Sequence, residues 1–532
     1  MTKSKQKYDS HETSGLKTFT VKSPLKEIKT NINITTDDTL SNLSRNEIIN
    51  QAFIFHSQGK IKEAIKYYQY FINKGFEDPR VFSNYGVILD ELGLTNKAII
   101  LFKKSISLFP NSADSYSNLG RILKGLGELD KAKKLMQKAI ELKPDFASAH
   151  NTLGNILTEL YDFKQAEISL RKAIYLKPNF AEAHSNIGNT LQKQGKFQEA
   201  EISVRNAIKL KPNFATAYLN LGNILRDIGK LKEAEIYYSK AISLKNDFTL
   251  ALNNRSQVFF EMKKFDLALK DADACNTKNT RAFALEILYS LGKIDEIYER
   301  IKNTSKLDAN NIRLAAFSSF ISTQEKKVTS NNFCPNPLSY LYYSNLKFHG
   351  KGYLDFIKNI INDLSKVETI WQPLEKTTRN GFQTPFHINL FSDPSVNISR
   401  LKSIIFHELD VYYSKFKNES CSFIQKWPAK RNLVGWHVIL KKQGFQKAHI
   451  HPEGWLSGVI YLKVVPPLDK HEGAIEFSLN GENYSNANSP ELIYQPNLGD
   501  IVFFPSSLHH RTIPFTTNTD RIVLAFDLIP EK

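Results

Sequence analysis

The segment Ala448-His449-Ile450-His451-Pro452 sets two imidazoles two residues apart, and His509-His510 followed by Arg521 returns a third imidazole and a guanidinium from later in the chain. Residues i and i+2 of a strand share a face, so His449 and His451 can turn both rings toward one point. Neutral imidazole ligates divalent iron, and a guanidinium offers the paired N–H donors that match a carboxylate. Residues of these types in this order would suit an iron site that binds a dicarboxylate.

Such a site needs strands to carry it, and the chain has room for them beside a second architecture. Its 532 residues exceed what one hydrophobic core usually organises, so a multidomain α + β protein is expected. With 41% hydrophobic and 23% charged residues the composition is that of a soluble protein. No apolar run approaches the roughly 20 residues that cross a bilayer, which argues against a membrane protein. Residues 1–45 are rich in Lys, Thr, Ser and Asn and lack the apolar stretch of a secretory signal, so a disordered polar tail is expected there. Cys275, Cys334 and Cys421 are scattered without a CxxC pair, which argues against a disulfide framework or a thiolate zinc site and fits a cytoplasmic location. The formal charge is +17, but the lysines are interleaved with glutamates rather than gathered in one block. Nucleic acid is therefore not the expected partner; an acidic partner or an anionic substrate fits the balance equally well.

A second pattern fills the N-terminal half. Glycine falls at Gly86, Gly120, Gly154, Gly188 and Gly222, and alanine at Ala64, Ala98, Ala132, Ala166, Ala200, Ala234 and Ala268, both with a 34-residue step. Small residues at these places let two antiparallel helices approach closely, and Pro110, Pro144, Pro178 and Pro212 break the second helix of a unit before the next begins. Units such as Ala149-His150-Asn151-Thr152-Leu153-Gly154-Asn155 through Ala173-Ile174-Tyr175-Leu176-Lys177-Pro178 resemble the tetratricopeptide repeat. This implies an α-solenoid over residues 46–325, with closing helices after the period decays near residue 276. Asn84, Asn118, Asn186, Asn220 and Asn254 recur two residues before the small residue and are expected to line one surface. Amides both donate and accept, so such a row can hold the extended backbone of a protein or peptide partner. In this the repeats resemble those of the O-GlcNAc transferase family, although Thr152 interrupts the row. The alternative is that these asparagines only cap or solvate their helices.

Residues 326–337 carry polar and proline signals and are expected to be a linker to a domain over 338–532. There, helical stretches near 352–365 and 399–415 precede short runs rich in Val, Ile, Phe and Tyr at 434–440, 457–464, 475–479, 500–504 and 521–528. These are of strand length, and a double-stranded β-helix, or jelly roll, is expected because its open mouth can hold a metal.

Four separated motifs then occur in order. Gly444-Phe445-Gln446-Lys447-Ala448-His449-Ile450-His451-Pro452 is followed by Leu456-Ser457-Gly458-Val459-Ile460-Tyr461-Leu462 and by Phe503-Phe504-Pro505-Ser506-Ser507-Leu508-His509-His510, with Asn380-Gly381-Phe382-Gln383-Thr384 upstream. Together they resemble the Fe(II)/2-oxoglutarate oxygenases often found attached to tetratricopeptide repeats. The resemblance implies Fe(II) and 2-oxoglutarate as cofactors and His449, His451 and His510 as metal ligands. His510 is preferred to His509 because the family spacing counts from Phe504-Pro505, which leaves His509 for packing on the other strand face. His449-x-His451 stands where the family usually has His-x-Asp/Glu, so the carboxylate is missing; Glu453, in the register His451-Pro452-Glu453, is an alternative ligand. Arg521 and Tyr461 are expected to hold the distal carboxylate of 2-oxoglutarate, with Ser457 and Trp436 as weaker candidates. His349, His387, His407, His437 and His471 are expected to be structural. The resulting expectation is a 2-oxoglutarate-dependent dioxygenase, most simply a hydroxylase, with a recruiting arm. Two alternatives stand beside it: a scaffold whose β-domain has lost its chemistry, and a cupin-type three-histidine metalloenzyme that does not use 2-oxoglutarate.

Overall fold

The computed structural model describes residues 43–373, 376–385, 387–392, 394–466 and 469–530. The tail expected over residues 1–45 lies outside them as far as residue 42; Ser44 and Glu47 then form a capping box that starts the first helix. The described residues form two compact units, divided between Pro212 and Asn213.

The first unit is built of helix pairs: α1 (Arg45–Ser57) with α2 (Ile61–Asn73), α3 (Pro79–Glu91) with α4 (Thr95–Leu108), α5 (Ala113–Gly125) with α6 (Leu129–Leu142), α7 (Ala147–Glu159) with α8 (Phe163–Leu176), and α9 (Ala181–Lys193) with α10 (Phe197–Leu210). The 34-residue pattern is the cause. Ala64, Ala98, Ala132, Ala166 and Ala200 are fully buried, and a Cβ on Gly154 would stand 2.5 Å from Leu170 Cγ. Only the smallest side chains let the two backbones come this close. From α4 onward the second helix of each pair stops two residues before its proline, because the residue preceding proline is driven out of the α region: Lys143, before Pro144, has φ −142° and ψ 87°.

The repeat continues in the second unit as α11 (Ala215–Asp227) with α12 (Leu231–Leu244) and α13 (Thr249–Glu261) with α14 (Phe265–Cys275), then α15 (Lys278–Ser290), α16 (Ile294–Asn303) and α17 (Ile312–Gln324). Beyond them come β1 (Tyr342–Asn345), α18 (Tyr353–Leu364), β2 (Ile370–Trp371), β3 (Thr378–Gln383), α19 (Val396–Phe416), α20 (Ser422–Gln425), β4 (Asn432–Gln446), β5 (Leu456–Lys463), β6 (Ile475–Ser478), β7 (Glu491–Tyr494), β8 (Asp500–Pro505), β9 (His509–Thr512) and β10 (Arg521–Ile529). The strands make two antiparallel sheets, one of seven in the order β1-β8-β5-β10-β4-β3-β2 and one of three in the order β7-β6-β9.

The large sheet is buried on both faces. Alternation along β10 sends Leu524, Phe526 and Leu528 into one core with Ile460, Phe503 and residues of α18 and α19 such as Ile360, Leu401 and Ile405. It sends Val523 the other way, into a core with Val459, Tyr461, Phe504 and, from the small sheet, Ile475 and Phe477. That second core also contains Ala282, Leu285 and Leu288 of α15 and Phe317, Phe320 and Ile321 of α17. The Tyr484 ring centroid lies 5.0 Å from that of Phe317 and 4.8 Å from that of Phe320.

The closing helices therefore complete the β-domain rather than merely ending the solenoid. The segment 326–337 has a different character from the linker its polar residues suggest. Phe333 and Cys334 are buried, Phe333 lies 5.0 Å from Trp455 between ring centroids, and the Ser319 hydroxyl donates to the Cys334 carbonyl at 3.0 Å. Two apolar residues within a polar stretch are enough to pin it to the core.

Removing α15–α17 would strip the cover from Tyr484, whose ring packs on Phe317 and Phe320, and open the core they share to water, the kind of exposed apolar surface that drives aggregation. A fragment of residues 338–532 is expected to bind a hydrophobic dye and lack a cooperative thermal transition, whereas residues 278–532 should unfold cooperatively. Equal behaviour of the two fragments would contradict the shared core.

Candidate metal centre

β9 pairs on one side with β6, placing His510 opposite Phe477. On the other side it meets the chain after β4: the His449 N–H donates to the His510 carbonyl at 3.1 Å and the His510 N–H to the His449 carbonyl at 3.0 Å. Residues exchanging both backbone bonds stand side by side with their side chains on one face, and the two ring centroids are 4.3 Å apart. His451, two residues on, has its ring 5.1 Å from that of His449 and 5.0 Å from that of His510. One ring nitrogen from each histidine lies within 4.8 Å of those of the other two.

Hydrogen bonds fix the tautomer of all three rings. His449 Nδ1 lies 2.7 Å from the Lys447 carbonyl, His510 Nδ1 3.2 Å from the Leu508 carbonyl, and His451 Nδ1 2.6 Å from Asp527 Oδ1. Carbonyl and carboxylate oxygens only accept, so each Nδ1 carries a proton, which leaves Nε2 as the ring atom that can ligate a metal. Burial, then the neighbouring His451, pushes His449 down to about 3; burial, then His449, holds His510 well below the usual imidazole range. Both rings are therefore neutral and able to donate to a metal at neutral pH.

His509 turns to the opposite face, edge-on to Tyr484 with ring centroids 5.7 Å apart, and burial lowers it to about 4. Glu453 is exposed and outside the three-histidine group; the turn after His451 carries it away. Among the histidines expected to be structural, His349 contacts Glu408 Oε1 at 2.5 Å and His437 contacts the Thr384 hydroxyl at 2.8 Å.

Arg521 opens β10 with its side chain on the face that carries Val523, Tyr461 and Asp527. It is 2% exposed, its Nε donates to the Gly473 carbonyl at 3.2 Å, and its guanidinium carbon lies 5.0 Å from the Tyr461 ring centroid. Arg521 Nη1 and the Tyr461 hydroxyl are both buried without a hydrogen-bond partner among the described residues. Burial lowers the Arg521 guanidinium from its ordinary value and raises the Tyr461 phenol to about 12. Ser457 takes a different role from the one its sequence position suggested: its hydroxyl donates to Asp527 Oδ1 at 2.7 Å. The Trp436 ring packs 5.5 Å from that of His451. Asp527 is the residue that sequence reasoning missed. Its signal was there, a carboxylate inside the apolar run Ile522-Val523-Leu524-Ala525-Phe526-Asp527-Leu528.

The repeated asparagines divide into two kinds. Asn84 is buried, 1% exposed. Asn118, Asn186, Asn220 and Asn254 are half-buried. Asn186 Nδ2 donates to Asn151 Oδ1 at 2.9 Å, and Asn254 Nδ2 to Asn223 Oδ1 at 2.8 Å, so amides of successive repeats bond one another.

The family model described as "Putative 2OG-Fe(II) oxygenase" matches residues 435–527, a span that contains His449, His451, His510, Arg521 and Asp527. Tetratricopeptide-repeat models match residues 79–112, 113–146, 147–180 and 186–247. No curated protein matches the chain. Solved structures similar to its helical part include YrrB, a tetratricopeptide protein described as having an unusual peptide-binding site (24% identity, 36% of this chain, 97% of that one, TM-score 0.29). Others are pilF of Pseudomonas aeruginosa (20% identity, 40% and 97%, TM-score 0.34) and a tetratricopeptide repeat protein of Parabacteroides merdae (16% identity, 45% and 97%, TM-score 0.39).

If the three rings form one site, His451→Ala and His510→Ala should each abolish stoichiometric Fe(II) binding in anaerobic equilibrium dialysis, while His509→Ala and Glu453→Ala retain it. Loss of binding in Glu453→Ala with retention in His449→Ala would move the ligand set to the other register.

Proposed function

Given a chain that carries tetratricopeptide repeats and, at its C-terminus, a domain of the putative 2OG-Fe(II) oxygenase family, we propose that it is an Fe(II)- and 2-oxoglutarate-dependent hydroxylase. Its repeats would recruit the protein or peptide it acts on. From β4 to β10 the chain passes repeatedly between the large sheet (β4, β5, β8, β10) and the small one (β6, β7, β9), and this supports reading it as a double-stranded β-helix. His449, His451 and His510 would hold the iron through Nε2. With 2-oxoglutarate bound, the iron would supply activation of dioxygen for insertion of one oxygen atom into the substrate.

The observation that carries the reading is the buried pair Arg521 and Tyr461. A guanidinium sealed from water without an anionic partner costs several kcal/mol, and buried N–H and O–H groups are nearly always bonded. A carboxylate seated between them would accept from Nη1 and from the phenol, neutralising the charge and satisfying both donors. The donor set fits one end of a dicarboxylate, and the imidazoles of His449, His451 and His510 fit a divalent metal that its other end can chelate. The free state of all three cysteines fits a reducing compartment, to which we assign the protein; among the described residues no helix is long and apolar enough to cross a membrane.

Arg521→Lys should weaken 2-oxoglutarate binding and Arg521→Ala more so, by roughly 1.5–3 kcal/mol per charged hydrogen bond lost, with iron affinity unchanged. The anaerobic Fe(II) protein is titrated with 2-oxoglutarate while its visible charge-transfer absorption is followed. Wild-type protein that binds iron but gives no such band would favour the cupin or scaffold alternative, and a midpoint indifferent to Arg521→Ala would move the carboxylate anchor elsewhere. For the arm, replacing Asn186, Asn220 and Asn254 with alanine should weaken capture of the partner while leaving helicity intact. Unaltered capture would confine those amides to bonding between repeats.

A further inference from the structure

We propose that Asp527 serves as the carboxylate of this centre from one residue away, supplying through His451 the negative charge that three imidazoles lack. The inference rests on His449, His451 and His510 being the iron ligands. Asp527 Oδ1 is 2.6 Å from His451 Nδ1, and the Ser457 hydroxyl, which donates to the same oxygen, lies 3.1 Å from Nδ1 and 2.8 Å from the Ser506 hydroxyl. The Ser506 carbonyl in turn accepts the His451 backbone N–H at 3.0 Å. Ring, carboxylate and main chain of this ligand are thus held by one network. A Cβ on Gly454 would stand 2.6 Å from Ser506 Oγ and 3.1 Å from Asp527 Cγ, so the turn closes over the carboxylate only because that residue is glycine.

His449 and His510 rest their Nδ1 protons on carbonyl oxygens, which carry no formal charge. His451 alone rests on a carboxylate. A carboxylate accepting Nδ1–H draws the ring toward imidazolate and makes its Nε2 a stronger donor. The total charge around the metal then equals that of a set of two histidines and one carboxylate, while every atom touching the metal remains an imidazole nitrogen. Asp527 is therefore a positioning and charge-setting residue, not a ligand. Among the described residues, Lys376, whose Nζ lies 5.8 Å from the Trp436 ring centroid, is a cation close enough to feel the Asp527 charge.

Asp527→Asn keeps an oxygen able to accept from Nδ1 but removes the charge. In anaerobic chelator competition it should weaken Fe(II) binding about 10–100-fold, and the Fe(III)/Fe(II) midpoint potential should move positive. Ser457→Ala, which keeps the charge, should weaken binding less than tenfold and leave the potential in place. Wild-type affinity and potential in Asp527→Asn, or the same changes in Ser457→Ala as in Asp527→Asn, would overturn the proposal. Failure of the wild-type protein to hold stoichiometric Fe(II) would instead defeat the three-histidine reading on which it rests. Should Asp527→Asn not fold, the wild-type protein loaded with Zn(II) provides the check. Its His451 Nδ1 proton should appear far downfield and exchange slowly, and a signal lost to solvent exchange would overturn the assignment.

Discussion

Two backbone hydrogen bonds between His449 and His510 join segments that lie far apart in sequence, and the candidate site follows from that junction. A side chain two residues along an extended segment falls on the same face, so fixing His449 against His510 also delivers His451. The partner carbonyls at Lys447 and Leu508 lie two residues before their histidines, so the same local backbone that aims each ring also sets its tautomer. Only His451 needs a distant partner. Asp527 reaches it because β10 runs antiparallel to β5, with Asp527 opposite Ser457.

The large sheet is covered on both faces. One face is covered by α18 and α19, the other by the small sheet together with α15 and α17. Helices that a sequence pattern assigns to the end of a solenoid are thus part of the wall behind the site. Glu286 of α15 accepts from Asn483 Nδ2 at 2.7 Å, and burial raises its carboxyl to about 7. Gln324 of α17 donates to the Ser489 hydroxyl at 2.9 Å. Within this unit, a shift of those helices would be felt in the loop that carries Tyr484, which packs against His509 beside the candidate ligand His510.

Much of this was legible in the sequence because strong periodicity leaves few choices. The 34-residue step located the helix pairs, since only small residues fit where they touch. The apolar runs located β4, β5, β6, β8 and β10 to within a few residues, except that β4 continues to Gln446 through polar residues held by pairing with β3. The strands that escaped notice were short or polar: β1, β2, β3 and β7 take their form from neighbours already in the sheets, not from any pattern of their own, whereas β9 was expected from the strand faces of His509 and His510. The histidines could be named because their spacing is local. Asp527 could not, because its meaning depends on which residue faces it across β5, and strand register is not written in one strand. The asparagine row was visible as a repeat, but not that Asn84 would be buried or that successive amides would bond each other.

The central claim is that three imidazoles, and no carboxylate, ligate the iron. X-ray absorption of the anaerobic Fe(II)-loaded protein tests it most directly, because each bound imidazole adds outer-shell scattering that can be counted. The account predicts three imidazoles in the wild-type protein, two in His451→Ala with iron supplied in excess, and three retained when 2-oxoglutarate is added. A shell of two imidazoles with a protein carboxylate, or one that loses imidazole scattering when 2-oxoglutarate binds, would contradict it.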